Sequence, residues 1–114
     1  MATTYKVLGQ VIPAATTETS LYVPTSGSSA IVSSLVICNQ GATAATYRIA
    51  VANSTSTSTG AVAATKEWIV YGATVNASDS ITLTLGITMS SAFSLRVYSS
   101  SANTSFSAFG SEIS

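Results

Sequence analysis

Two apolar, β-branched runs on either side of a short Asn/Gly segment constrain the fold more than any other feature of this chain. They lie in residues 29–51, SAIVSSLVICNQGATAATYRIAV, and residues 39–43 connect them. Val, Ile, Tyr and Thr suit a pleated, half-buried surface, and an Asn/Gly cluster between two such runs is a hairpin signal. The pattern therefore predicts two strands that are joined as a hairpin through residues 39–43.

The two runs differ in the faces that they can bury. Residues 30–38 are apolar on both faces apart from Ser33 and Ser34, whereas residues 46–51 alternate between an apolar and a more polar face. This predicts a central strand followed by a strand with one outer face. One face of residues 30–38 should meet the core, and a neighbouring subunit, rather than a loop of the same chain, should cover the other. Cys38, the only cysteine, is expected to be a buried small hydrophobe.

Several further segments have the length and composition of short strands: residues 5–11, 18–23, 66–75, 81–85, 94–99 and 104–109. Residues 86–93 are irregular, and the STSTST tract within residues 52–65 predicts a long exposed loop or hairpin tip. About eight strands with no helical segment predict an all-β fold, an antiparallel β-sandwich or jelly roll, with a small barrel as the alternative. At 114 residues, the chain is expected to form one such domain over residues 1–114.

The charge content restricts the classes of partner. Charged residues make up only 7% of the chain, and four cations balance four anions. Four scattered cations cannot neutralise several phosphates, so neither nucleic-acid binding nor charge-driven membrane association is expected. The apolar runs are also far shorter than the about 20 residues of a spanning helix. A neutral surface rich in Ser, Thr and Ala favours coverage by neighbouring subunits, which predicts a homo-oligomer, with a trimer favoured.

The sequence offers little material for catalysis or metal binding. It contains no histidine, which excludes Ser-His-Asp and Cys-His arrangements. The carboxylates Glu18, Glu67, Asp79 and Glu112 are dispersed, so neither a glycosidase pair nor an oxygen-ligated calcium site is indicated. No Gly-rich phosphate loop is present. The expectation is a protein without catalytic residues, metal, cofactor or enzyme activity.

Aromatic side chains are the remaining candidates for a binding site. Trp68, Tyr71 and Tyr98 suit a sugar-binding face, and Tyr22 joins them as a candidate interface residue. In the alternative interpretation Trp68 fills the sandwich core, while Tyr71 and Tyr98 are half-exposed or lie in a subunit interface. The composition favours this alternative, because sugar sites also need polar side chains such as Asp, Asn or Arg near the rings.

Five segments carry a resemblance to a known group of proteins: ATTYKVLGQ (2–10), ATTETSLY (15–22), LVICNQGATAATYRIAV (35–51), DSITLTLGITM (79–89) and SFSAFGSEIS (105–114). They resemble small structural proteins of tailed bacteriophages, especially of viruses of cyanobacteria. Such relatives often carry a compact loop after the second central strand, where this chain has STSTSTGAVAAT. The resemblance implies a virion component whose partners are other virion proteins, such as the major capsid protein or tail proteins.

Composition and resemblance together lead to two functional hypotheses. The first is a non-enzymatic structural component of a tailed-phage virion, an accessory β-domain that decorates or cements the particle surface through oligomeric packing. The alternative is a tail, baseplate or fibre-associated module with a receptor- or carbohydrate-binding role. Residues 1–6 lack the charged and apolar regions of a signal peptide, so synthesis in the host cytoplasm is expected for a protein that ends up in the virion.

Overall fold

The computed structural model describes residues 3–114, which form nine β-strands and one 3₁₀ turn. The strands are β1 (Thr3–Val11), β2 (Thr19–Tyr22), β3 (Ser29–Asn39), β4 (Ala45–Ala52), β5 (Trp68–Val75), β6 (Ser80–Leu83), β7 (Ile87–Ser90), β8 (Ser94–Ser99) and β9 (Thr104–Ile113), and the 3₁₀ turn is Thr65–Glu67. No helix among the described residues is long and apolar enough to cross a membrane.

The strands form two antiparallel sheets. Sheet A has the order β1-β9-β3-β6, with β7 also paired to β3, and sheet B has the order β2-β8-β4-β5. β6 pairs with residues 35–38 of β3 and β7 pairs with residues 29–32, so β6 and β7 are two parts of one interrupted strand. Counted in this way, each sheet has four strands, which is the arrangement of a jelly roll. The predicted fold class, an all-β antiparallel sandwich or jelly roll, is confirmed.

The predicted hairpin between β3 and β4 is wrong, because these strands belong to different sheets. β3 pairs with β9, β6 and β7, whereas β4 pairs with β5 and β8. The Asn39 side chain fixes the connection between them. Its Nδ2 donates to the carbonyl oxygens of Thr43 (2.8 Å) and Val75 (3.2 Å), and its Oδ1 accepts from the Gly41 amide (2.9 Å). These bonds satisfy an amide that is only 1% exposed, so they stabilise an arch from one sheet to the other.

The core lies between the sheets, and the central strand β3 contributes every second residue to it. Ala30, Val32, Leu35 and Ile37 are at most 1% exposed, and a bulge between Val32 and Ser34 keeps all four on the inner face. This confirms residues 30–38 as a central strand. The other main core side chains are Leu21, Tyr22, Ala45, Tyr47, Ile49, Val75, Met89, Leu95, Val97, Phe106 and Ala108.

The outer face of β3 remains open in the single chain. Ile31 is 38% exposed, and Val36 and Cys38 are half-buried. The expectation that Cys38 is a buried hydrophobe is therefore wrong, because its side chain lies on this outer face. The long loop of residues 53–64 does not cover this face, because it is fastened to sheet B. Cover by a neighbouring subunit is the expectation that remains.

Candidate functional site

A buried ion pair lies under the outer surface of sheet B. Arg96, on β8, has a side chain that is 0% exposed, and its partner Glu18 is 6% exposed. The Arg96 Nε donates to Glu18 Oε2, Nη1 donates to the Ser56 carbonyl at 2.8 Å, and Nη2 donates to the carbonyls of Ser58 and Gly60. Burial of a charge is tolerated only when it is paired and hydrogen-bonded, and this guanidinium meets both conditions.

The same pair fastens residues 53–64, here called the strap, across sheet B. Glu18 Oε2 also accepts from the amides of Val62 (3.1 Å) and Ala63 (3.0 Å), and the Glu18 carbonyl accepts from the Gly60 amide (2.9 Å). The carbonyls of residues 56, 58 and 60 all accept from this one guanidinium. The STSTST tract is a loop, as predicted, but it is tied down and not a freely exposed tip.

Beside the strap, a row of three side chains crosses sheet B. Arg48 on β4 lies directly opposite Tyr98 on β8 and Tyr71 on β5. Its Cζ is 4.2 Å from the centroid of the Tyr98 ring and 4.1 Å from that of Tyr71. Trp68 packs edge-to-face against Tyr71, with ring centroids 5.7 Å apart and an interplanar angle of 74°. Cation–π and aromatic contacts therefore hold the Arg48 side chain in place.

A cleft of about 370 Å³ lies between this row and the strap. Its lining comprises Arg48, Trp68, Tyr98, Glu18, Thr16, Thr17, Gly60, Ala61 and Ala63. A second hollow, of about 270 Å³, is formed by Thr65, Trp68 and Tyr71. The first volume falls in the range of small-molecule sites, and its combination of aromatic rings with a few polar groups is typical of such sites.

The structure brings three of the four aromatic candidates together. Trp68, Tyr71 and Tyr98 share the outer face of sheet B with Arg48, and Tyr71 is 65% exposed. The expectation that Trp68 fills the sandwich core is wrong. Trp68 is half-buried and pairs with Ala50 of β4. Because Ala50 is two positions after Arg48, it lies on the same outer face as Arg48, and so does Trp68.

Two polar residues of this site were missed in the sequence. A sugar site was disfavoured because no polar side chains were evident near the rings, yet Arg48 and Glu18 line the cleft beside Trp68 and Tyr98. The available signal was Arg48 itself, a lone charge in the otherwise uncharged strand β4. Nothing in the sequence indicates that Glu18 lines the same cleft as Arg48, because this depends on how the two sheets and the strap pack together.

Tyr22, the fourth candidate, lies in a different cluster. It is 8% exposed, and its hydroxyl donates to Glu112 Oε2. Glu112 also accepts from the Thr25 amide (3.2 Å) and hydroxyl (3.0 Å), and it pairs with Lys6 (3.4 Å). The Tyr22 hydrogen bond, followed by those from Thr25 and the charge of Lys6, lowers the pKa of Glu112 from 4.5 to about 2. Burial, followed by the bond to Glu112, raises the pKa of Tyr22.

Acid is expected to weaken the fold through this cluster. The pKa of Glu112 is lower in the folded protein than in the unfolded chain, so the ionised carboxylate stabilises the fold above about pH 4.5. That contribution is lost as the pH falls from about 4.5 towards 2. Urea denaturation at a series of pH values should show a steeper decline for the wild type than for Glu112→Gln. Equal declines in this window would show that Glu112 makes no such contribution.

The carboxylates are engaged separately. Glu18 binds Arg96 and the strap, Glu67 accepts from the amides of residues 53 and 64, and Asp79 accepts from the amide of residue 80. Among residues 3–114, no three His, Cys, Asp or Glu side chains gather where they could hold a metal ion. The cleft itself combines aromatic rings with one cation, one carboxylate and hydrogen-bonding groups.

Comparisons with known proteins add a distant structural neighbour. No family model matches the chain, and no curated protein matches it. Among solved structures, it is similar to the nucleoplasmin-like N-terminal domain of Drosophila FKBP39, with 15% sequence identity over 98% of this chain and 90% of the other and a TM-score of 0.49. The interpretation of the site therefore rests on the residues of this chain.

Proposed function

We propose that this protein is a non-enzymatic structural component of a tailed-phage virion that works by packing. In this role it decorates or cements the particle surface as a homo-oligomer, with a trimer as the expected size, and contacts the major capsid protein or tail proteins. The virion setting is supported by the resemblance of its opening, central and closing segments to small phage structural proteins. The packing role is supported by one surface of the sandwich.

That surface is the outer face of sheet A, here called the uncharged face. Most of its other positions hold Ser or Thr, and its apolar members are Tyr5, Val7, Ile31, Val36, Cys38, Phe109 and Ile113. Tyr5 is 84% exposed, Val7 51% and Ile31 38%. Strand register aligns Tyr5 with Ile31 through Ser111 of β9 and places Val7 opposite Phe109, so these apolar side chains lie in two neighbouring rows across the face.

None of the charged residues among residues 3–114 lies on this face. The register directs Lys6 and Glu112 to the other side of β1 and β9, where they pair with each other. An exposed sheet face without charge lacks the usual protection against association. Contact with a second copy would remove its apolar area from water, which is the main driving force for subunit association.

A charge placed on the uncharged face should separate the subunits. Wild-type protein is expected to be multimeric by light scattering, and Ile31→Glu is expected to be monomeric at the same concentration, because a buried unpaired carboxylate opposes association. Ile69→Glu is a matched control, since Ile69 is 48% exposed on sheet B and should leave the multimer intact. A strictly monomeric wild type that is also absent from purified particles would contradict the proposal.

A second candidate function is ligand binding, by a tail, baseplate or fibre-associated module that recognises a receptor or carbohydrate. It is favoured by the cleft, in which Trp68 and Tyr98 offer ring surfaces beside the polar groups of Arg48 and Glu18. The cleft lies on sheet B and the uncharged face lies on sheet A, so one protein has separate surfaces for packing and for binding.

A further inference from the structure

We propose that the cleft on sheet B binds a sugar that carries a carboxylate, as uronic and sialic acids do. This inference rests on the second candidate function, ligand binding, and specifies its ligand class. It is carried by Arg48, Glu18 and Trp68, which line one cavity of about 370 Å³.

Arg48 is arranged to receive a planar anion. Tyr71 and Tyr98 lie on the strands at either side of β4, so the two rings flank the guanidinium at 4.1 and 4.2 Å. Within residues 3–114, no hydrogen bond or ion pair occupies its N–H groups, because the ion pairs there are Lys6–Glu112 and Arg96–Glu18. A carboxylate is the group whose two oxygens match a guanidinium edge with two parallel hydrogen bonds.

The local charge favours an anionic ligand. The chain has no net charge, but the cleft region combines two cations, Arg48 and Arg96, with one anion, Glu18. Arg96 is fully buried and makes four hydrogen bonds, to Glu18 and to three strap carbonyls. Arg48 is thus the cation available at the cleft, and its charge attracts an anion to that space.

Glu18 favours a ligand that also carries hydroxyl groups. Its Oε2 accepts from Arg96 and from two strap amides, whereas no hydrogen bond within residues 3–114 reaches Oε1. Glu18 lines the cleft, and its free oxygen can accept a hydrogen bond from a sugar hydroxyl, which a bare anion lacks. The hydroxyls of Thr16 and Thr17, which also line the cleft, donate to the Ala15 carbonyl and retain lone pairs that can accept from a ligand.

Trp68 supplies the surface on which the ring of a sugar can stack. The indole is half-buried, lines the cleft and borders the adjoining hollow of about 270 Å³. Its edge-to-face contact with Tyr71 fixes its orientation. A carboxylate for Arg48, hydroxyls for Glu18 and an apolar face for Trp68 together describe an acidic sugar.

Titration followed by fluorescence tests this assignment, because Trp68 is the only tryptophan in the chain. The probes are sialyllactose and trigalacturonic acid, with lactose as the neutral comparison. We expect at least one acidic probe to bind about tenfold more tightly than lactose, since charge-assisted hydrogen bonds are roughly twice as strong as neutral ones. The acidic probe that binds identifies whether a sialic or a uronic acid is preferred.

Variants test whether Arg48 causes the preference for acidic probes over lactose. Arg48→Gln should abolish the difference between acidic probe and lactose, and Arg48→Lys, which keeps the charge but not the planar fork, should reduce it. Lys66→Gln removes one cation outside the cleft and should retain the wild-type preference. Thermal unfolding checks that each variant is folded.

The outcomes separate this inference from the function on which it rests. Equal affinity for lactose and the acidic probes would overturn the carboxylate assignment and leave a carbohydrate-binding role in place. No binding of any probe, by fluorescence or calorimetry, would overturn both. An unchanged preference in Arg48→Gln would overturn the role of Arg48, whereas loss of preference there and retention in Lys66→Gln would support the assignment.

Discussion

Replacement of Arg96 by Met is expected to lower the free energy of unfolding by about 3–5 kcal/mol, the usual result of removing one partner from a buried ion pair. Glu18 would remain 6% exposed with its charge uncompensated, and three strap carbonyls would lose their donor. Urea denaturation measures the loss. Hydrogen exchange at the amides of Val62 and Ala63, which bind Glu18, should accelerate as the strap loosens.

Two controls separate the ion pair from a general effect of removing an arginine. Arg48→Met removes a cation from the same sheet that has no ion pair among the described residues, and should cost only about 1 kcal/mol of cation–π contact. The double variant Glu18→Gln/Arg96→Met should be more stable than the sum of the single effects predicts, because no charge is left unpaired. An Arg96→Met variant as stable as Arg48→Met would contradict this account.

Replacement of Gly9 by Ala is expected to destabilise the fold by about 2–4 kcal/mol, in the range of overpacked core positions. β1 has a bulge between Val7 and Gly9, and there it passes so close to β2 that a Cβ on Gly9 would lie 2.2 Å from the Leu21 carbonyl oxygen. A backbone atom cannot move aside as a flexible side chain does, so the two sheets would have to separate locally.

Gly72→Ala is the matched control for this prediction, measured by the same urea denaturation. Gly72 has φ +84° and no atom within 4 Å of an added Cβ, so alanine there should cost only the about 1–2 kcal/mol of left-handed backbone. If Gly9→Ala were no more destabilising than Gly72→Ala, the close approach of β1 and β2 would not be a constraint on the fold.

Strand positions were predictable from the sequence where apolar, β-branched and aromatic residues are concentrated between turn signals. Residues 5–11, 94–99 and 104–109 correspond to β1, β8 and most of β9. The pairing of strands was not predictable from the sequence, and the contacts of Asn39 show why. The residues around Asn39 indicate that the chain changes direction there. The arch between the sheets, however, is fixed in part by a hydrogen bond from Asn39 to the Val75 carbonyl, and these two residues are far apart in the chain.

The interruption between β6 and β7 illustrates a second limit. The alternating residues 81–85 predict a strand through Leu85, whereas β6 ends at Leu83 and β7 begins at Ile87, in a region predicted to be irregular. Gly86 adopts φ +64° between them. Both strands exist because β3 is long enough to pair with two short partners, which is a property of the sheet and not of the local sequence.

For the site, the candidate residue types could be predicted from the sequence, but their spatial arrangement could not. Trp68, Tyr71 and Tyr98 were recognisable as aromatic candidates, but their convergence on Arg48 follows from the register of three strands. Arg96 alternates with Leu95 and Val97 along β8. It is outward-facing, but the strap buries it completely, and that burial depends on a loop whose composition has no apolar face.

An electron cryo-microscopy map of the assembled protein, on the particle or as an isolated multimer, tests the central claim most directly. The claim is that copies of this chain pack through the uncharged face of sheet A. The map should show Tyr5, Val7 and Ile31 buried between copies while the cleft beside Arg48 and Trp68 remains accessible. A map in which those three side chains face solvent, and the copies meet through sheet B, would contradict it.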